Sequence, residues 1–220
     1  MSRPSAALAV SLLLTLLVPL DGFAGQASLR IRSSAVASPC VEAVGRAWEA
    51  RGGRALDVET GALRDAGDWD VLVGSGVELT RALEGGDAVI DSDVGIADIP
   101  WVLHLTSGGD VRSLSDVVQS GVEITMLAGP AAYEARRALA RDGTVSVRET
   151  TDGAELRSAP VALVPLSLAG SGRQVEVDVP PVRVDAAVGM RARHGDDAQA
   201  FVRYLGSEAG RQVFATCSPQ

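Results

Sequence analysis

The fold is decided by the stretch LRIRSSAVASPC, residues 29–40, where a strand pattern, a hydroxyl-rich loop and a helix start follow one another. Its first four residues alternate between apolar and polar, as the residues of a half-buried strand do. Ser38 before Pro39 is typical of a helix start, with serine as the N-cap and proline at the first helical position. The stretch therefore predicts a strand that ends in a serine loop and continues directly into a helix.

The same order of strand, small or hydroxyl residue and helix recurs along the chain. It is found again at Gly74-Ser75, Gly129-Pro130-Ala131 and Thr151-Asp152-Gly153. Strands that alternate with short helices predict an α/β fold with mostly parallel sheets. In such a fold these turns gather at the carboxyl edge of the strands, where ligands bind and where the N–H groups of helix starts can hold an anion. Each turn taken alone is equally compatible with ordinary helix capping.

The N-terminus has the three parts of a secretory signal. Arg3 provides the positive region, residues 6–20 form an apolar run with Pro19 near its end, and Ala24 closes a small-residue cleavage site. A membrane-spanning helix needs about 20 apolar residues, which is more than this run offers. We therefore expect residues 1–24 to be a cleaved signal peptide and the mature protein to be soluble.

Charge and missing motifs disfavour several classes of function. The net charge of −8 repels nucleic acids and anionic membranes, so neither is expected as a partner. The sequence has no G-x-S-x-G, H-E-x-x-H, P-loop or G-x-G-x-x-G signature, so neither an enzyme nor any catalytic residue is predicted. His104 lies in an apolar strand and is expected to be a core or edge residue rather than a base, whereas His194 lies in a polar turn and is expected to be exposed. No residues have metal-ligand spacing, so no metal or cofactor is expected.

The two cysteines, Cys40 and Cys217, lie near opposite ends of the mature chain. In an exported protein two cysteines are most simply paired, which predicts one disulfide. The alternative is a reactive thiol, because Cys40 would lie in the first turn of a helix, where the helix dipole lowers the pKa of a thiol.

Four stretches resemble the periplasmic solute-binding proteins of ABC transporters, and most of all their molybdate-type branch. The first is the strand, serine loop and helix of residues 29–48. The others are DVLVGS at residues 70–75, APVALVPLSLA at residues 159–169, and AFVRYLGSEAGRQVF at residues 200–214. The last stretch is similar to the family's two closing helices and is the most specific of the four.

This resemblance implies the type 2 periplasmic-binding fold, a two-lobed α/β fold with a ligand cleft between the lobes. Lobe 1 would comprise residues 25–98 and 185–220, and lobe 2 residues 99–184. The protein would be a periplasmic monomer that captures a small molecule or an oxyanion such as molybdate and delivers it to the permease of an ABC transporter.

The resemblance also implies which residues would hold the ligand. From the first lobe they are Ser34, Ser38 and Thr60. From the second lobe they are Ala131, Asp152, Gly153 and Ser167.

The chain departs from the family at several of these places. Pro165 stands where the family has a tyrosine that binds the oxyanion, and residues 60–67 are too short for the loop and helix that the family has there. These losses suggest an alternative function, a domain that no longer serves transport and acts as a sensory or protein-interaction module.

Overall fold

The protein is described from a computed structural model, in which residues 27–64, 67–106, 111–142 and 145–217 are placed. The predicted signal peptide, residues 1–24, lies outside these ranges. Within them, no helix is both long enough and apolar enough to cross a membrane.

Over these ranges the chain forms ten strands and seven α-helices. In chain order they are β1 Leu29–Ser33, α1 Ser38–Glu49, β2 Leu56–Thr60, β3 Val71–Ser75, α2 Gly76–Glu84, β4 Val94–Ile99, β5 Trp101–Leu105, α3 Leu114–Ser120, β6 Ile124–Leu127, α4 Tyr133–Asp142, β7 Val147–Thr150, α5 Gly153–Ser158, β8 Val161–Pro165, β9 Arg173–Glu176, β10 Val182–Val188, α6 Gly195–Gly206 and α7 Glu208–Ala215. Two short 3-10 turns, Pro130–Ala132 and Leu166–Leu168, precede α4 and follow β8.

The strands form two five-stranded sheets. The first has the order β2-β1-β3-β10-β4 and the second has the order β7-β6-β8-β5-β9. The predicted two-lobed α/β architecture is thus confirmed, with one sheet in each half of the fold.

Both sheets are mixed, and in each of them four of the five strands run in the same direction, as the prediction of mostly parallel sheets expects. In the first sheet β1 pairs in parallel with β2 and β3, whereas β10 pairs antiparallel with β3 and β4. In the second sheet β6 pairs in parallel with β7 and β8, whereas β5 is antiparallel to β8 and β9. The antiparallel strands are those next to the crossings between the sheets, where no crossover helix intervenes to force a parallel pair.

The chain passes from the first sheet to the second at Pro100 and returns through residues 177–181. All of β10 pairs within the first sheet. Val182 to Val184, which the prediction includes in lobe 2 (residues 99–184), therefore belong to the sheet of lobe 1. Beyond this, the assignment of residues to two lobes stays a prediction.

Strand register places the carboxyl ends of the parallel strands of both sheets beside these crossings. In the first sheet, the first residue of β10, Val182, pairs with Ile99, and Val184 pairs with Ser75 at the end of β3. In the second sheet, Trp101 at the start of β5 pairs with Pro165 at the end of β8. The two carboxyl edges therefore face one another across the crossings.

The disulfide predicted from the sequence is present. Cys40 in the first turn of α1 is bonded to Cys217, which follows α7, and their Cα atoms are 5.3 Å apart. Helices α1 and α7 pack against each other, and Phe214 of α7 is buried in the same core as Cys40. The bond therefore ties the C-terminal end of the described chain to the helix that begins after β1.

We predict that removing this bond lowers the free energy of unfolding. The cysteines are 177 positions apart, and the chain-entropy model gives about 5 kcal/mol for closing a loop of that size. Cys40→Ala/Cys217→Ala protein should unfold at a clearly lower urea concentration than the parent, and dithiothreitol should destabilise the parent but not the variant. Two alkylated thiols in mass spectrometry of the unreduced parent would contradict the pairing.

His104 lies in the core of the second sheet, as the sequence predicts. It is 2% exposed, and its Nε2 accepts a hydrogen bond of 3.2 Å from the N–H of Gly172. Burial lowers the pKa of His104 below its ordinary value, because the apolar surroundings disfavour the charged imidazolium. The folded protein therefore holds this side chain in its neutral form, with Nε2 free to accept.

We predict that His104 makes the protein less stable as the medium becomes acidic. Because the unfolded chain binds this proton more readily than the folded chain, the free energy of unfolding should fall as pH drops below about 6.5. Urea denaturation at about pH 7.5 and about pH 5.5 measures the effect. His104→Gln keeps an acceptor for Gly172 without the charge and should reduce the difference, whereas His194→Gln should leave the His104 contribution in place. An equal pH dependence in parent and His104→Gln protein would contradict this role.

Candidate functional site between the two sheets

The three site residues predicted from the first lobe lie together. Ser34 follows β1, Thr60 ends β2 opposite Ser33, and the Ser38 Oγ lies 2.6 Å from Thr60 Oγ1. Ser38 is the first residue of α1 and its neighbour Ala37 is the N-cap, so the prediction that the Ser38 side chain caps the helix is wrong. The hydroxyl is instead bonded to Thr60.

The Ser34 side chain is buried, with Leu63 packed beside it. It is 3% exposed, and its Oγ has no hydrogen-bond partner among the residues that the structure describes. A Cβ added at Gly74 would lie 3.3 Å from Ser34 Cβ and 2.7 Å from Leu63 Cδ1, so all three residues meet at one point. Leu63, which is 2% exposed, thus packs beside the serine.

Arg32 holds the short segment that carries Leu63. Its Nε donates a hydrogen bond of 3.0 Å to the carbonyl oxygen of Ala62, and its guanidinium pairs with Glu59. The guanidinium also lies over the ring of Trp69 at 5.0 Å from the centroid. The segment after β2 is therefore fixed against the sheet although it is too short for a helix.

The four site residues predicted from the second lobe differ in their surroundings. Ser167 is buried, and its Oγ donates a hydrogen bond of 2.7 Å to the carbonyl oxygen of Val36, which joins the two halves of the fold directly. Asp152 is exposed and caps α5 by accepting a hydrogen bond of 2.8 Å from the N–H of Ala154. Gly153 is the first residue of that helix, and Ala131 lies in the 3-10 turn before α4.

A crevice of about 420 Å³ lies between the two halves. Its walls come from the start of α2, the start of β10 with the segment before it, and the 3-10 turn and first residues of α4. They are Ser75, Gly76, Val77, Thr80, Asp93, Pro130, Ala131, Glu134, Pro180, Pro181, Val182, Arg183 and Asp185. Of the seven predicted ligand-binding residues, only Ala131 is among them.

The start of α2 forms one wall of the crevice. Ser75 Oγ accepts a hydrogen bond from the N–H of Glu78, while Glu78 Oε2 accepts from the Ser75 N–H at 3.1 Å and from the Ser75 hydroxyl at 2.7 Å. Ser75 was recognisable in the sequence as a residue between a strand and a helix. Its hydroxyl and its N–H are both used by the helix itself.

The floor of the crevice is the start of β10. Asp185 is 8% exposed, and its Oδ1 accepts a hydrogen bond of 2.8 Å from Arg183 Nε. This hydrogen bond is the main cause that raises the pKa of Arg183, and the charges of Asp98 and Asp93 add to it. Sequence reasoning missed both residues of this pair, since the only local signal was the break at Pro180-Pro181 before a strand.

His194 is not simply exposed, which corrects the sequence prediction. Asp70, which is 1% exposed, accepts hydrogen bonds from the N–H groups of Arg30, Arg193 and His194, and the His194 ring nitrogen Nδ1 lies 3.3 Å from Asp70 Oδ2. Burial raises the pKa of Asp70, but these hydrogen bonds outweigh it and the pKa is lowered. The cluster lies at the amino end of β3, the end opposite the crevice, and ties α6 to the first sheet.

Possible metal ligands do not cluster among the residues that the structure describes. There, no three His, Cys, Asp or Glu residues lie close enough together to hold an ion.

Comparison with solved structures shows which fold this is. The chain is similar to the periplasmic molybdate-binding protein of Azotobacter vinelandii, with 14% identity over 88% of this chain and 100% of that one and a TM-score of 0.72. It is also similar to the sulfate-binding protein SubI of Mycobacterium tuberculosis, with 16% identity over 88% and 86% of the two chains and a TM-score of 0.66. A third similar structure is iron-bound HitA of Pseudomonas aeruginosa, with 16% identity over 88% and 85% and a TM-score of 0.60.

The chain therefore has the two-lobed fold of periplasmic binding proteins. At these identities the likeness establishes the fold and leaves the ligand open. No protein-family model matches the sequence, and no curated protein matches it either.

We predict that Ser167→Ala destabilises the protein by about 1–3 kcal/mol, because it removes the only donor described for the buried Val36 carbonyl oxygen. The matched control is Ser158→Ala, whose exposed hydroxyl donates to the Glu155 carbonyl oxygen; its effect should stay within about 0.5 kcal/mol. Equal free energies of unfolding for the two variants would contradict the importance of the Ser167 bond.

Proposed function

We propose that the protein is a periplasmic solute-binding protein, exported by residues 1–24, that captures a small solute between its two lobes for the permease of an ABC transporter. The observation that carries this proposal is the crevice of about 420 Å³ whose walls come from both halves of the fold. Cavities of about 300–1,000 Å³ are typical of small-molecule sites.

The connections between the halves suit a closing motion. The chain crosses once at Pro100 and once through residues 177–181, and no helix spans either crossing. Short connections of this kind can absorb the backbone rotation of a hinge, so that binding between the lobes changes the shape presented to a membrane partner.

An oxyanion at the serine loop has some support. Ser34, Ser38 and Thr60 lie together, and the buried Ser34 hydroxyl has no partner among the described residues. From the other lobe the support is weaker, because Ser167 already donates to Val36 and Pro165 has neither a hydroxyl nor an N–H.

A second candidate function is a sensory or protein-interaction module that no longer serves transport. What favours it is the Ser167–Val36 hydrogen bond between the two halves, together with Leu63 packed beside Ser34. Both contacts place protein atoms against the serine loop.

Thermal unfolding of the exported protein tests the proposal against molybdate, tungstate, sulfate, phosphate and a panel of small organic solutes. A ligand at a hundred times its dissociation constant should add about 2.7 kcal/mol to the free energy of unfolding. Loss of the shift in Ser34→Ala protein would assign the ligand to the serine loop, and loss in Glu134→Gln protein would assign it to the crevice. If no solute raises the melting temperature, capture of a solute is contradicted and the second candidate gains support.

A further inference from the structure

We infer that the solute held in the crevice is a small organic cation, an ammonium or guanidinium group on a short aliphatic stem. This inference rests on the proposed function and specifies the ligand class of the same crevice. Such a cation is opposite in charge to molybdate and sulfate, the ligands that appear in the names of two similar structures.

The charges that line the crevice are mostly negative. Among the lining residues that the structure describes, Asp93, Glu134 and Asp185 stand against a single basic residue, Arg183, which is already paired with Asp185. Asp93 and Glu134 belong to different halves of the fold and are both exposed. A cation between the lobes would therefore meet an acid on each side, and an anion would be repelled from both.

Asp185 provides an acceptor at the floor of the crevice. Its Oδ1 accepts from Arg183, but no donor to Oδ2 is found among the described residues. A Cβ added at Gly76 would lie 3.0 Å from this Oδ2, so the oxygen lies at the wall that Gly76 forms. Oδ2 is thus open to solvent at the crevice, and an N–H group of a bound ligand can replace water as its donor in a charge-assisted hydrogen bond.

The helix start at the crevice offers little to an anion. The N–H groups at the beginning of a helix normally attract negative charge. At α2 this position is taken by the carboxylate of Glu78, which accepts from both the N–H and the hydroxyl of Ser75. The negative charge of Glu78 therefore already lies at this helix start and disfavours a second negative group beside it.

Most of the remaining lining residues are apolar. Val77 lies on α2 and Pro130 lies in the other half of the fold. Pro180, Pro181 and Val182 line the crevice from the return segment and the start of β10. These side chains can pack along methylene groups, and prolines lose little conformational freedom when a ligand binds. No aromatic side chain is among the described lining residues, so a quaternary ammonium would find no aromatic surface here.

Calorimetric titration with agmatine and with choline tests this inference on the exported protein. Agmatine has N–H donors at both ends of a short stem, whereas choline has the charge without an N–H on its nitrogen. We expect agmatine to bind at least about tenfold more tightly than choline, because only agmatine can donate to Asp185 from a cationic nitrogen, whereas choline can donate only through its neutral hydroxyl. Raising the salt concentration should weaken agmatine binding.

Substitutions of crevice residues test whether agmatine binds in the crevice. Asp185→Asn should weaken agmatine binding by at least about tenfold, and Asp93→Asn/Glu134→Gln, at two exposed positions where folding is not at risk, should weaken it several-fold. Glu84→Gln at the far end of α2, outside the crevice, is the matched control and should bind as the parent does.

The outcomes separate this inference from the proposed function. If molybdate or sulfate binds and agmatine does not, the cation is excluded and solute capture stands. Agmatine binding that is unchanged in Asp93→Asn/Glu134→Gln protein would also overturn the inference. If neither the cations nor the oxyanions bind, the proposed function fails together with it.

Discussion

The central constraint on this fold is the insertion of the return strand β10 between β3 and β4 of the first sheet. Its hydrogen bonds to both neighbours are antiparallel, so β10 begins where β3 and β4 end. The chain must therefore leave and re-enter the first sheet at the same edge. That edge is also where β1 ends in the serine loop, and it faces the corresponding edge of the second sheet. A crevice between the halves follows from this connectivity.

The same strand supplies the chemistry of that crevice. Arg183 and Asp185 are two positions apart on β10, and their side chains pair on the face that meets the start of α2. The cluster around Asp70 stabilises the other end of the sheet, at the beginning of β3. At one end of the first sheet both oxygens of the Asp70 carboxylate thus have hydrogen-bond partners. At the other end Asp185 Oδ2 is an acceptor without a donor among the described residues.

Much of the fold could be predicted from local sequence, because strand and helix periodicity and turn residues act over a few positions. Residues 29–48 and 200–214 form the elements expected of them, and Cys40 pairs with Cys217. The direction of β5 and β10 could not be predicted in the same way, since these two strands oppose the others only through the route of the chain between the sheets.

The candidate site was less accessible to sequence reasoning. Ser34, Ser38 and Thr60 do meet, because they end neighbouring strands or begin the next helix. The sequence around Asp185 did not indicate a site, since it is a single acid in an apolar strand. Its place at the crevice becomes evident only when the structure sets Arg183 and Gly76 beside it. Ser167 has the expected hydroxyl, but its bond to Val36 depends on how the two halves approach each other.

The most direct measurement is a crystal structure of the exported protein grown with agmatine. We expect ligand density in the crevice, with a nitrogen within hydrogen-bonding distance of Asp185 Oδ2, about 2.7–3.2 Å. Ligand density at the serine loop beside Ser34, or a crevice that stays without ligand at saturating agmatine, would contradict it.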